Sequence, residues 1–288
     1  MPTDSRPPES DTRAVATPPA DFVQQAIEDG GRDDDAALAA SLVTQASALA
    51  ERMRSAGLVG KQKTSVADVV TAADTAAEAA VLAALTTLRP DDGILGEEGA
   101  ARPSASGRRW VIDPVDGTYN FLCGIDYWCS ALALATEPTA DDPTGQVLLG
   151  AVQRRSSGEL WVGGPGRPTR RNGVEVRVAE QPLSELSLAS YVRLPPADDR
   201  VGPWLSMLGG VAAMRVMGSG SVDLALVADG RLGAYAAPNV ADWDWFPGAA
   251  LATGAGGVAA VVPHRGLNWH LAGGAAAVRR LTELLRSG

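Results

Sequence analysis

The stretch from Trp110 to Phe121, Trp-Val-Ile-Asp-Pro-Val-Asp-Gly-Thr-Tyr-Asn-Phe, constrains this chain more than any other feature. Trp110, Val111 and Ile112 read as a buried strand that delivers Asp113 to its carboxyl end. Pro114 then fixes a turn, and Asp116 follows three residues after Asp113. Two carboxylates placed this way converge on one cation. A hard divalent ion such as Mg2+ takes oxygen ligands and keeps several waters, so a few carboxylates plus a carbonyl, here that of Val115, suit it. Gly117-Thr118 adds a second capability. Glycine permits close backbone approach, and N–H groups at the start of a helix or turn point at an anion, so phosphate is the natural guest. The competing reading is a plain Asp-Gly turn capped by Asp113, and the motif alone does not decide between the two.

Composition narrows the choice. Two cysteines, Cys123 and Cys129, and two histidines, His264 and His270, are too few for a disulfide framework or a Cys/His zinc cluster, so a metal here is held by oxygen. The cysteines read as small packing residues. His264 reads as a turn residue and His270 as a strand residue. The 25 basic and 34 acidic residues give a formal charge of -9, which argues against a general nucleic-acid binder. Arg167, Arg170 and Arg171 read as a solvated basic loop. No apolar run reaches the roughly 20 residues a membrane span needs, and Met1 to Ala20 lacks the pattern of a signal peptide. A cytoplasmic protein with no membrane partner is expected.

Met1 to Asp35 holds nine acidic and three basic residues with Pro7-Pro8, Pro18-Pro19 and an Asp33-Asp34-Asp35 run, and is read as a disordered acidic tail. From Ala36 to Ala56, Leu38, Leu42, Ala46, Leu49 and Met53 recur at helical spacing. A second helix is expected over Ala72 to Leu88, stopped by Arg89-Pro90. Short β-rich runs follow: Ile94-Leu95, Trp110 to Ile112, Cys129 to Leu134, Val147 to Val152 and Leu160 to Val162. Beyond Ser184, strands are expected at Leu186 to Tyr191, Val258 to Val262 and Trp269 to Leu271. Helices are expected at Ser221 to Ala228, Trp245 to Thr253 and Ala275 to Arg286. The expectation is a layered α/β domain over 36–288, with a metal-binding α+β half (36–180) and an α/β half (181–288).

Two further acidic sites join the first. Ile94-Leu95-Gly96-Glu97-Glu98-Gly99 sets paired acids at a strand end, and Trp243-Asp244-Trp245-Phe246 sets one acid among large apolar residues at a helix start. Taken singly, these read as surface acids and a helix N-cap. Taken together with Asp113-Pro114-Val115-Asp116-Gly117-Thr118 and Asn120-Phe121, they resemble the inositol monophosphatase family of Mg2+-dependent phosphatases, in that family's order. Lys63 through Asp68-Val69-Val70-Thr71-Ala72-Ala73-Asp74 and Gly218-Ser219-Gly220, leading into Asp223 and Val227-Ala228-Asp229-Gly230, are similar as well.

The resemblance implies an αβαβα sandwich and hydrolysis of a small phosphate monoester, of the inositol monophosphatase type, with two or three Mg2+ per site. Glu97, Asp113 and the Val115 carbonyl would hold one ion, and Asp113, Asp116 and Asp244 a second. Thr118 and Asp74 would orient and deprotonate the attacking water, with Glu97 beside them. Gly117, Thr118, Gly218, Ser219 and Gly220 would contact phosphate or alcohol, with Val115, Asp116 and Asp244 also at the substrate and Lys63 near the phosphate. A homodimer is implied.

The family's acid that reads a substrate hydroxyl is replaced by Ala237, which leaves histidinol-phosphate, 3'(2'),5'-bisphosphate nucleotide and fructose-1,6-bisphosphate hydrolysis open. A catalytically silent binding module is the alternative from another class, and the intact acid set speaks against it.

Overall fold

The computed structural model describes residues 19–56, 61–62, 69–70, 72–142, 145–191 and 201–287. In chain order the elements begin with α1 (Pro19–Glu28), α2 (Asp35–Ser55), β1 (Lys61–Gln62), β2 (Val69–Val70) and α3 (Ala72–Leu88). Then come β3 (Gly93–Gly96), β4 (Ala101–Arg102), β5 (Arg108–Asp116), α4 (Thr118–Cys123), β6 (Cys129–Thr136), β7 (Val147–Arg154), β8 (Glu159–Gly164), β9 (Arg167–Arg171) and β10 (Val174–Glu175). The last part holds β11 (Ser187–Ala189), α5 (Val201–Leu208), β12 (Ala213–Arg215), α6 (Gly220–Ala228), β13 (Ala234–Pro238), α7 (Asp242–Gly254), β14 (Val258–His264), β15 (Leu267–Gly273) and α8 (Ala275–Ser287).

The strands form an eight-stranded sheet in the order β10-β9-β8-β7-β6-β5-β3-β4 and a five-stranded sheet in the order β12-β11-β13-β15-β14, besides the β1-β2 pair. In the larger sheet β3 and β5 run parallel and every other pair is antiparallel. Alternation along β5 and β6 sorts the side chains. Trp110, Ile112, Leu132 and Leu134 pack against α1, α2 and α3, while Val111, Ala131, Ala133 and Ala135 face α6 and α7. Burying a side chain such as Ile112 or Leu132 contributes about 1.5–3 kcal/mol. On the far side of the smaller sheet, Leu188, Ala236, Trp269 and Leu271 bury Trp204 and Met207 of α5 and Leu281 and Leu285 of α8. The five layers are therefore αβαβα, as expected.

Small residues let the middle layer approach. A Cβ on Gly150 of β7 would lie 2.1 Å from the Pro247 carbonyl oxygen, and one on Gly248 would lie 2.2 Å from Leu224 Cβ. These two glycines allow α7 to lie flat on β7 and α6, which fixes the start of α7 at the end of β5.

The expected disordered tail is corrected from Pro19 onward; residues 1–18 lie outside the described ones. Pro19 opens α1, Phe22 is 1% exposed and Ala26 fully buried, and the Gln45 amide donates to the Phe22 carbonyl. The acidic run is also used: Asp34 caps α2 by accepting the Ala36 N–H at 2.9 Å, and Asp35 pairs with Arg89 and Arg108. Buried apolar area outweighs a local composition that reads as solvated. Cys123 is exposed rather than packed, whereas Cys129 is buried. Among the described residues, no helix is long and apolar enough to cross a membrane.

Candidate active site

Asp113 and Asp116 lie three positions apart, a spacing that would place them on opposite faces of a regular strand. The structure differs from the expected strand-then-turn: β5 continues to Asp116 and carries a one-residue bulge. Asp113 pairs with Ala131 and Asp116 with Cys129, so three steps along β5 match two along β6. The extra residue at Pro114-Val115 brings both carboxylates to one face. Proline suits this position because the bulge leaves a backbone group outside the ladder, and Ser130 Oγ donates to the Pro114 carbonyl.

Asp244 completes the cluster from the first turn of α7. Carboxylate oxygens of Asp113, Asp116 and Asp244 lie within 4.8 Å of one another. Asp244 is not the N-cap of its helix; Ala241 occupies that position. Asp113 is buried, with Oδ1 accepting the Val115 N–H at 3.1 Å, while Oδ2 has no hydrogen-bond partner among the described residues. Burial holds the Asp113 carboxyl well above its ordinary range, and the charges of Glu97, Asp116, Asp244 and Asp74 push the same way. Asp116 is raised by burial too, against hydrogen bonds from Ser221 and Ser219. Acids crowded in this manner, one oxygen of them unsatisfied, are the donor set a hard divalent cation neutralises.

Glu97 stands beside the trio rather than within it. It follows β3, its N–H donates to the Ile112 carbonyl at 3.2 Å, and the residue is open to solvent while its carboxyl turns in toward Asp113. Burial of its carboxyl, then the charges of Asp116, Glu98 and Glu78, raise it to about 7 against a hydrogen bond with Asp113. Asp74, in the first turn of α3, is buried next to Asp113. Thr118 Oγ1 donates to the Val115 carbonyl at 3.0 Å, which leaves that oxygen a second lone pair. Gly117 precedes α4 with φ 95°, and a Cβ there would meet the Gly218 carbonyl oxygen at 3.2 Å.

The Gly218-Ser219-Gly220 segment, expected at the substrate, turns its serine inward. Ser219 is 1% exposed and donates to Asp116 Oδ2 at 3.0 Å; the same oxygen accepts the Ser221 N–H at the start of α6. The amino end of α6 thereby faces a carboxylate, the sign its dipole favours. Lys63 and Asp68 lie outside the described residues. Ala237 is buried in β13, and the carboxylate of Asp242, five residues on, is held by Arg109 at 2.8 Å.

Three supporting groups were given no role from the sequence, although Asn120 and Asp223 lie in its motifs. Glu78 accepts backbone N–H groups from Glu98 and Ala100; its only signal is an acid four residues after Asp74 in an alanine-rich helix. Asn120 bridges two carbonyls. Asp223, buried and raised to about 8 by that burial and by Asp116, accepts the Tyr127 hydroxyl at 2.6 Å.

The model of the inositol monophosphatase family matches residues 32–287. An inositol-1-monophosphatase of Rhizobium meliloti is 34% identical over 197 residues, covering 66% of this chain and 71% of its own. A histidinol-phosphatase of Mycobacterium tuberculosis is 34% identical over 181 residues, covering 61% and 67%. Among solved structures, the extragenic suppressor protein suhB of Bartonella henselae superposes with a TM-score of 0.74 at 26% identity, covering 86% of this chain and 98% of that one.

Proposed function

The chain belongs to the inositol monophosphatase family and is a phosphoric monoester hydrolase; from that premise we propose that it hydrolyses a small phosphate monoester with Mg2+ held by Asp113, Asp116 and Asp244. The observation that carries the metal assignment is the convergence of those three carboxylates to within 4.8 Å. Glu97 and the Val115 carbonyl extend the ligand set toward a further ion. When bound, Mg2+ lowers the pKa of a water and neutralises charge on the departing oxygen of an in-line displacement.

The chain's own groups do the remaining work. Asp74 takes the proton of the attacking water, and Thr118 orients that water from the start of α4. Backbone N–H groups beside Gly117 bind the phosphate oxygens. Ser219 and the Ser221 N–H hold Asp116 in place, and the Gly218-Ser219-Gly220 segment beside them keeps its proposed place at the substrate.

One observation leaves the alcohol open beyond inositol phosphate. The methyl group of Ala237 offers no partner to a substrate hydroxyl, and Asp242 is engaged with Arg109. A site that leaves no polar group unpaired discriminates weakly against alcohols lacking that hydroxyl; this selects no one alcohol, and histidinol phosphate is the second candidate because one relative is a histidinol-phosphatase. The test is a turnover screen of inositol 1-phosphate, histidinol phosphate, fructose 1,6-bisphosphate and adenosine 3',5'-bisphosphate, each with Mg2+ and with chelator. Release of phosphate from at least one, stopped reversibly by the chelator, is expected; no release from any, or release indifferent to chelation, contradicts the proposal.

A further inference from the structure

We propose that Asn120 is a positioning residue that locks the amino ends of α4 and α6 together and so holds Asp116 in its ligating place; this rests on the metal reading above. Asn120 is 8% exposed, and its amide nitrogen donates to two carbonyls, those of Tyr127 and Met217, each at 2.8 Å. Both acceptors demand a donor, which fixes the orientation of the amide. The two carbonyls belong to separate segments. Tyr127 lies in the link from α4 to β6, and Met217 comes directly before Gly218-Ser219, whose serine holds Asp116.

The surrounding backbone is shaped to this contact. Gly218 has φ 87°, and a Cβ on it would lie 3.0 Å from the Asn120 amide nitrogen. Gly117 has φ 95°, and a Cβ on it would lie 3.1 Å from the Tyr127 carbonyl oxygen and 3.2 Å from Ser219 Cβ. Two positive-φ glycines thus permit three segments to close on one amide. With Asn120 removed, two inward carbonyls lose their donor, and the Gly218-Ser219 turn loses the tie that sets its distance from β5. The Asp116 carboxylate, seated by Ser219 and Ser221, then shifts with that turn.

The test titrates Mn2+, followed by its paramagnetic resonance signal, into the full-length wild type, Asn120→Ala, Ser219→Ala and the double variant, with urea unfolding of each metal-free protein. Wild type is expected to bind Mn2+, and each single variant to bind about 10- to 100-fold more weakly. Because both act through Asp116, the double variant should bind no more weakly than the weaker single one. Unchanged Mn2+ affinity in Asn120→Ala, or losses that multiply in the double variant, would overturn the proposal. Should Asn120→Ala not fold, Asn120→Ser, whose shorter side chain has one donor for two carbonyls, carries the same comparison: weaker Mn2+ binding is expected, and unchanged affinity overturns the proposal. Absence of Mn2+ binding by the wild type would instead defeat the metal reading itself, and the lock with it.

Discussion

The carboxylate of Glu78, in the second turn of α3, accepts the backbone N–H of Glu98 at 2.9 Å, and its other oxygen accepts that of Ala100 at 2.8 Å. The turn that carries Glu97 is therefore fastened from beneath by a helix. Gly96 makes room for this, since a Cβ on it would lie 2.3 Å from a Glu78 oxygen. Glu78→Gln replaces one of the two acceptors by an N–H donor, leaving a backbone N–H opposed by another donor. A stability loss of about 1–3 kcal/mol is expected, together with a higher Mg2+ concentration for half-maximal turnover. Urea titration and a Mg2+ activation curve check both; an unchanged activation curve would show that the turn does not depend on Glu78.

Arg109 donates to Asp242 at 2.8 Å and lies over the Phe246 ring at 5.4 Å, so Asp242 is a strut between β5 and α7. Asp242→Asn should leave the ranking of substrates unchanged. The pair is half open to solvent on the Asp242 side, and its loss should cost about 1–2 kcal/mol, discounted from a buried pair for screening. A reordered substrate preference, read as kcat/KM ratios, would show instead that Asp242 reads the alcohol.

Phe22, on a helix inside a segment whose composition reads as solvated, is 1% exposed. Phe22→Ala should lower stability by about 3–5 kcal/mol, the range for emptying a buried aromatic site. A loss below about 1 kcal/mol by urea unfolding would return α1 to the status of a dispensable tail.

Asp92 is buried, which raises its carboxyl, but hydrogen bonds from Ser106, Arg108 and Trp110 outweigh that and hold it below its ordinary value of 3.8. A depressed folded-state pKa gives stability that is present in full above the unfolded value and is lost as pH falls through the folded one. The stability difference between wild type and Asp92→Asn should therefore be largest near neutrality and shrink below about pH 4. Urea midpoints measured across that range check it; a difference that grows on acidification would reverse the sign.

Much of this was readable in particular residues. Ala72 to Leu88 forms the helix expected, because alanines and leucines at helical spacing are stopped by a proline whose ring no helix continues past. The β6 strand was readable because Leu132 and Leu134 alternate with alanines, marking two differently packed faces. The bulge in β5 was not, since Pro114 suits a turn and a bulge equally, and only the pairing with β6 tells them apart. Helix α1 was hidden by its acids, although Pro19 at its first position and Asp34 as the next N-cap are both start signals. In β13, Ala234-Tyr235-Ala236-Ala237-Pro238 has no β-branched residue; its strand state comes from neighbours on both sides. At the site, the acids were legible as a set. The roles of the groups that hold them, Glu78, Asn120 and Ser221, were not, because each depends on a contact 20 to 105 residues away along the chain.

On the proposed mechanism, Asp113, Asp116 and Asp244 hold the cation on which phosphate release depends. This is tested most directly by stripping wild type and Asp116→Asn of metal and following phosphate release across a Mg2+ titration, with circular dichroism confirming that both are folded. Stripped wild type should be inactive and recover with Mg2+. The variant should remain slower by about a hundredfold or more at every concentration, a larger effect than loss of a group behind a ligand produces. Full activity in the stripped wild type, or near-normal turnover by Asp116→Asn, would contradict the account.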